Sequence, residues 1–75
     1  MPLLGPRLRA VREARSLSLS DAAAASGLHR MAIWKCEHDR VSVSVRLILA
    51  LAYAYRVEPG ELLPTLAELD AERRE

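Results

Sequence analysis

The sequence has no phenylalanine, one cysteine, three glycines and few aromatic residues in 75 positions. A single cysteine excludes an internal disulfide, and no pair of cysteines or histidines has the spacing of a structural zinc site. No apolar run is long enough to cross a bilayer or to form a signal peptide. Alanine and leucine dominate the apolar residues, which is typical of closely packed helices rather than of a sheet. We therefore expect one small all-α domain over residues 1–75, in a reducing cytoplasm and without a cofactor.

The charge is unevenly distributed, although the net charge is only +1. Residues 1–40 contain seven Arg or Lys and four Asp or Glu, whereas residues 41–75 contain four and six. The positive half favours an anionic partner, but a short helical protein can also have such a solvated surface.

Capping signals divide the first half into three helices. Gly5 and Pro6 open the first, and Ser16 and Leu17 interrupt the pattern. Ser18, with an acidic residue three positions later, predicts a second helix over residues 19–26 that ends at Gly27. A third helix is predicted to begin near position 29 or 30 and to end near 37 or 38.

Similar signals organise the second half. Ser44 predicts a fourth helix from Val45 to about Tyr55, and Pro59 is at the first position of a short fifth helix over residues 60–63. Thr65 and Glu68 form a second possible capping box, so residues 66–73 are predicted as a sixth, amphipathic helix. The extension over residues 64–75 is expected to be helical or partly disordered.

Two short helices joined by a three- to four-residue turn that contains glycine predict a helix-turn-helix at the second and third helices. We expect Ala22, Ala23 and Ala25 to let the two axes approach closely, although alanine is also simply a good helix former. On a helical wheel of the third helix, Ile33 and Glu37 share the core side with the cysteine. The opposite side carries large apolar groups beside cations, a surface that fits the major groove of DNA.

The ordered pattern as a whole resembles the Cro and phage-repressor family of helix-turn-helix proteins. Its first block is LGPRLRAVR over residues 4–12. The later matches are Leu17, Ser18, Ala23, Gly27, Ile33, Glu37, Leu51, Ala52, Val57, Glu61, Leu62 and Leu63. The resemblance implies five packed helices and sequence-specific binding to a double-stranded DNA operator, usually as a homodimer on a palindrome. We interpret the chain as a transcriptional regulator that acts as a repressor. It also implies a buried ion pair between Arg12 and Glu37, which agrees with the core position of that carboxylate.

The sequence departs from the family pattern at four positions. Leu19 replaces a glutamine, Val43 replaces a proline, and Asp39 and Arg56 replace glycines. Asp tolerates the left-handed conformation better than arginine does.

Ten residues are candidates for DNA contact. They are Leu19, Ser20, Arg30, Met31, Ala32, Trp34, Lys35, His38, Arg40 and Ser42. Each has a simpler alternative as a core or solvated residue. For Trp34 three readings stay open: a contact with sugar or a thymine methyl, a cation–π contact with Arg30, or a site for a protein partner.

Apolar residues near the C-terminus are candidates for a dimer interface, because so small a domain cannot bury all of them on itself. They are Tyr55, Leu62, Leu63, Leu66 and Leu69; closing the core is the alternative role. The rival function is a protein-binding antitoxin or anti-repressor module, with a toxin or an anti-repressor as its partner. An enzyme has little support, since nucleophile–base pairs and glycine-rich phosphate loops are absent.

Overall fold

The computed structural model describes residues 4–73, apart from the side chains of residues 69, 72 and 73. Within this range the chain forms five α-helices and a 3₁₀ helix, with no strand. The elements are α1 (Leu4–Ala14), α2 (Leu19–Ser26), α3 (Arg30–Glu37), α4 (Val45–Tyr55), the 3₁₀ helix (Pro59–Leu62) and α5 (Leu66–Arg73). The predicted all-α fold is confirmed. None of the described helices combines the length and the apolar character that a membrane crossing requires.

Side-chain caps fix where α2 and α4 begin. The hydroxyl of Ser18 accepts the backbone N–H of Asp21 at 3.0 Å, and the Asp21 carboxylate accepts the N–H of Ser18 at 3.0 Å. The bond from the Ser18 N–H, with a smaller contribution from the Ser18 hydroxyl, lowers the pKa of the Asp21 carboxyl because it favours the ionised form. The hydroxyl of Ser44 accepts the N–H of Leu47 at 3.1 Å in the same manner. Both helices therefore begin where the sequence predicts.

The C-terminal elements differ slightly from the prediction. The short helix is of the 3₁₀ type, has Pro59 at its first position as predicted, and ends at Leu62, one residue earlier than expected. In α5 the capping box of Thr65 and Glu68 is present. Glu68 also forms an ion pair with Arg7, which connects α5 to α1. The bond from the Thr65 backbone and the contact with Arg7 lower the pKa of Glu68.

One apolar core lies between α1, α2, α3, α4 and the 3₁₀ helix. Its buried members are Leu8, Ala22, Ile33, Cys36, Ile48, Leu51, Ala52, Tyr55 and Leu62. Tyr55 and Leu62 therefore differ from their prediction as dimer contacts, because they are only 1% and 0% exposed. Their side chains fill the space that the short helix and α4 enclose, and they have no surface to offer a partner.

The alanines of α2 have different environments. Ala22 is fully buried and Ala23 packs against the core, as the predicted close approach of the helices requires. Ala25, in contrast, is exposed, so it does not take the predicted place at the crossing. Gly27 ends α2 in the left-handed conformation, with φ of 76°, and donates its N–H to the carbonyl of Ala23.

Two residues that replace family glycines adopt the left-handed conformation. Asp39 has φ of 53° and Arg56 has φ of 58°. The backbone geometry of the pattern is thus kept, at a cost that an L side chain incurs and glycine does not.

Candidate nucleic-acid interface

Helix α3 separates a buried side from an exposed side. Ile33, Cys36 and Glu37 are at most 5% exposed. Burial also raises the pKa of the Cys36 thiol, so this group behaves as a small apolar residue. Lys35 is exposed on the side that the helical wheel predicts to face outward, and Arg30 is exposed at the N-terminus of the helix. The exposed side also carries Met31, 45% exposed, and His38 at the C-terminal cap.

Trp34 lies at the edge of the exposed side, in a cluster with His38 and Arg40. The indole and imidazole rings stack with centroids 4.0 Å apart and planes 18° apart. The guanidinium carbon of Arg40 lies 5.8 Å from the indole centroid, within the range of a cation–π contact. Of the sequence alternatives for Trp34, the cation–π contact therefore exists, but with Arg40 in place of Arg30.

A contact with the helix backbone orients the imidazole of His38. Its Nδ1 lies 2.8 Å from the carbonyl oxygen of Trp34. Because a carbonyl oxygen only accepts, this contact favours the hydrogen on Nδ1 and leaves Nε2 for an outside group.

The loop between α3 and α4 (residues 38–44) is held by hydrogen bonds to α3 and to α1. The N–H of Arg40 donates to the carbonyl of Lys35 at 2.8 Å. The carboxylate of Asp39 accepts the N–H of Gly5, at the start of α1, at 3.2 Å. The exposed side chains of Arg40 and Ser42 are thus carried by a loop with fixed ends.

The acidic groups of this region are engaged by other parts of the protein. Glu37 pairs with Arg12, Asp39 bonds to α1, and Asp21 caps its own helix. Within residues 4–73, no ion pair involves Arg30, Lys35 or Arg40. The exposed surface of α3 and the loop therefore has an excess of positive charge, although the whole chain is nearly neutral.

The remaining predicted DNA contacts lie around this surface. Leu19 is half-buried and packs against the core, whereas the adjacent Ser20 is exposed at the start of α2. Ala32 is half-buried. Of the predicted dimer residues, Leu63 and Leu66 are exposed; the side chain of Leu69 lies outside the described residues.

The sequence analysis missed two features near the interface, the helix cap formed by His29 and the exposure of Val41. The Nδ1 of His29 accepts the N–H of Met31 at 3.2 Å and so caps α3. Histidine is not among the usual N-cap residues, which hides this role. Val41 is 46% exposed in the loop, where a polar residue is the ordinary expectation.

These features define a helix-turn-helix DNA-binding domain: a short helix held by its partner, with an exposed cationic side and a cationic loop behind it. The model of the helix-turn-helix domain family matches residues 3–66. The chain belongs to this family and is a DNA-binding transcription regulator of the Cro and phage-repressor type, as the sequence resemblance indicates.

A solved structure gives a more particular likeness. The restriction-modification controller protein C.AhdI from Aeromonas hydrophila is 42% identical and superposes with a TM-score of 0.77. The match covers 80% of this chain and 91% of that chain. The search of curated protein sequences gave no significant match.

Proposed function

We propose that this chain is a homodimeric transcriptional repressor that binds a palindromic operator with α3 in the major groove. The observation that carries the proposal is the charge pattern of the helix-turn-helix. Arg30, Lys35 and Arg40 are exposed cations without an ion-pair partner in the described range, while the nearby acidic groups are engaged elsewhere. Such a surface suits phosphates and the acceptor edges of guanine.

The positions of the cations divide their roles. Lys35 and Met31 lie on the outer side of α3 and would contact base edges, with Arg30 at the helix N-terminus beside a base or a phosphate. Arg40 and Ser42 lie in the loop and would contact the phosphate backbone, where contacts set the register without reading the sequence. Ser20 would contact a phosphate at the start of α2, where the helix dipole favours an anion.

Trp34 has a supporting role in this scheme. Its indole lies against both His38 and Arg40. The contact would hold the arginine beside α3 and lower the entropy that this side chain loses when it binds a phosphate.

The dimer is supported by apolar side chains that the monomer leaves uncovered. Leu63 is 44% exposed and Leu66 is 85% exposed, and a second copy would remove them from water. In a two-fold dimer the recognition helices would lie about 34 Å apart, one turn of DNA. Sedimentation of Leu66→Glu, compared with the wild type, tests the interface, and this variant should dissociate into monomers. The control Ala71→Glu changes another exposed position of α5 and should stay dimeric. Dissociation of both variants or of neither would contradict the proposed interface.

The likeness to a restriction-modification controller protein favours a similar task for this chain. We therefore propose that its operator lies beside genes of a restriction-modification system. A reporter gene can be placed downstream of the DNA that precedes these genes. Its expression should fall when the protein is supplied, and increased expression would contradict the repressor role.

Selection of bound sequences from a random duplex pool tests DNA binding and symmetry together. We expect a palindromic consensus whose half-sites are one helical turn apart. The rival, a protein-binding antitoxin or anti-repressor, predicts that no sequence is enriched and that duplex affinity is undetectable at any salt concentration.

A further inference from the structure

A groove of about 460 Å³ runs beside α3, between this helix and the start of α4. The apolar part of its lining comes from the helix, the loop and α4: Met31, Ala32, Cys36, Val41 and Leu47. The polar part consists of His29, Lys35, Ser42 and Ser44. No carboxylate lines the groove, so its charge suits an anionic partner.

Met31 and Val41 make this groove unusual for a surface that binds DNA. Their side chains are 45% and 46% exposed, and the other large exposed apolar residues among the described positions all occur at Val45 or later. Exposed apolar side chains beside cations indicate an occupant that is itself partly apolar. A phosphate alone would not make use of them.

The groove is fixed before any partner binds. The bond from the Arg40 N–H to the Lys35 carbonyl turns the loop back onto α3, and Asp39 bonds to Gly5 of α1. Ser44 caps α4 on the far side. Val41 is therefore held between two anchored ends of one short loop.

We propose that this groove receives the C5-methyl group of a pyrimidine in the operator, so that Met31 and Val41 select thymine at one position of each half-site. The inference rests on the proposed function. In the major groove, thymine presents its methyl group beside an acceptor oxygen, and that methyl is the apolar group by which a side chain distinguishes thymine. 5-Methylcytosine carries the same group on the same ring carbon. Val41 thereby becomes a specificity-determining residue that lies outside the recognition helix.

The test uses the full chain and the duplex enriched by selection. Each thymine is replaced in turn by deoxyuridine, which removes the methyl group and nothing else. At one position per half-site we expect binding to weaken by about fourfold, the value of one buried methyl group. In Val41→Ala and in Met31→Ala this ratio between thymine and uracil should fall towards one. The ratio compares two DNAs with one protein, so a general loss of affinity does not affect it.

Val45→Ala is the matched control, because Val45 is 75% exposed and does not line the groove; it should keep the wild-type ratio. Placing cytosine and then 5-methylcytosine at the sensitive position separates the two sources of the methyl group. If 5-methylcytosine restores the affinity that cytosine loses, the methyl group alone is sufficient for recognition. If it does not, the groove accepts the methyl group of thymine only.

Two results would overturn the inference while leaving the proposed function intact. One is a selected duplex that tolerates uracil at every thymine. The other is a sensitivity to uracil that persists in both alanine variants. Absence of any selected duplex would instead count against the proposed function itself.

Discussion

Arg12 and Glu37, 25 residues apart in sequence, form a buried ion pair with two hydrogen bonds. Nε of Arg12 donates to Oε2 at 2.7 Å, and Nη2 donates to Oε1 at 3.1 Å. Nη1 donates to the carbonyl of Leu17 at 2.7 Å. The bond to Glu37 raises the pKa of Arg12 and outweighs the opposing effect of burial. One guanidinium thus joins α1, the segment before α2, and α3, and it fixes the orientation of α3.

Glu37→Ala should lower the free energy of unfolding by about 3–5 kcal/mol, since it leaves the arginine buried without its carboxylate. Urea unfolding followed by circular dichroism measures this loss. Arg12→Ala should be similarly damaging, and the double variant should cost less than the sum of the two. The control is Glu13→Ala, which removes an exposed partner of Arg9 and should change stability by less than about 0.5 kcal/mol. An unchanged melting temperature in Glu37→Ala would refute the structural role of the pair.

Gly5→Ala should destabilise the domain by about 1–3 kcal/mol, although alanine is the better helix former. A Cβ at this position would lie 2.6 Å from the carbonyl oxygen of Glu37 and 2.6 Å from Oδ1 of Asp39. The carbonyl belongs to the backbone, so α1 and the C-terminus of α3 would have to separate. Thermal unfolding measures the effect. At Gly60 an added Cβ meets no atom within 4 Å, so Gly60→Ala should stay within about 0.5 kcal/mol of the wild type. Equal stability of the two variants would disprove the close contact.

The elements that could be predicted from sequence depend on local interactions. The starts of α2 and α4 follow from the serine cap directly before each helix, and the end of α2 follows from a glycine that adopts positive φ. The exposed side of α3 follows from helical periodicity alone. These features need no knowledge of the tertiary fold.

The features that could not be predicted depend on contacts between distant residues. The bond from Gly5 to Asp39 spans 34 positions, and no local pattern indicates it. Trp34 contacts Arg40 because the loop turns back onto α3, whereas spacing along the helix favoured Arg30. For Tyr55 the sequence left a dimer contact and a core position open, and its exposure of 1% places it in the core.

Tyr55→Phe should make the domain about 1 kcal/mol more stable at neutral pH. The hydroxyl of Tyr55 is buried and finds no hydrogen-bond partner among the described residues, and removing an unpaired buried hydroxyl relieves its desolvation cost. This gain in stability should appear as a rise of several degrees in the melting temperature.

The same hydroxyl predicts a loss of stability at high pH. Burial, with a smaller contribution from Glu37, raises the pKa of Tyr55 to about 12, against about 10 for tyrosine in an unfolded chain. The folded state holds the tyrosine proton more tightly than the unfolded state does. The stability that depends on this proton is therefore present below pH of about 10 and is lost as the pH rises towards 12. Melting temperatures between pH 9 and pH 11.5, taken as the difference between wild type and Tyr55→Phe, isolate the effect. Tyr53→Phe is the matched control, since its side chain is 82% exposed. A difference between the wild type and Tyr55→Phe that does not change with pH would contradict the prediction.

Arg40→Ala and Lys35→Ala should impair operator binding in different ways. If Arg40 contacts a phosphate, its removal weakens binding to all duplexes alike and lowers the salt slope by about 0.9 per site, or about twice that in a dimer. If Lys35 contacts a base, its removal costs about 1–3 kcal/mol on the selected operator and relaxes the preference at one base pair. Both side chains are exposed, so the melting temperature should stay at the wild-type value.

Arg9→Ala is the matched control for these two variants, because Arg9 is an exposed cation of α1 that pairs with Glu13 at 3.3 Å. It removes one positive charge from α1, a helix outside the candidate interface, and should leave the salt slope and the base preference nearly unchanged. Fluorescence anisotropy at several salt concentrations, on the operator and on a scrambled duplex, gives both quantities. Should Arg9→Ala weaken binding as much as Arg40→Ala does, the affinity would depend on net charge alone, and the assignment of α3 and its loop to the DNA groove would be wrong.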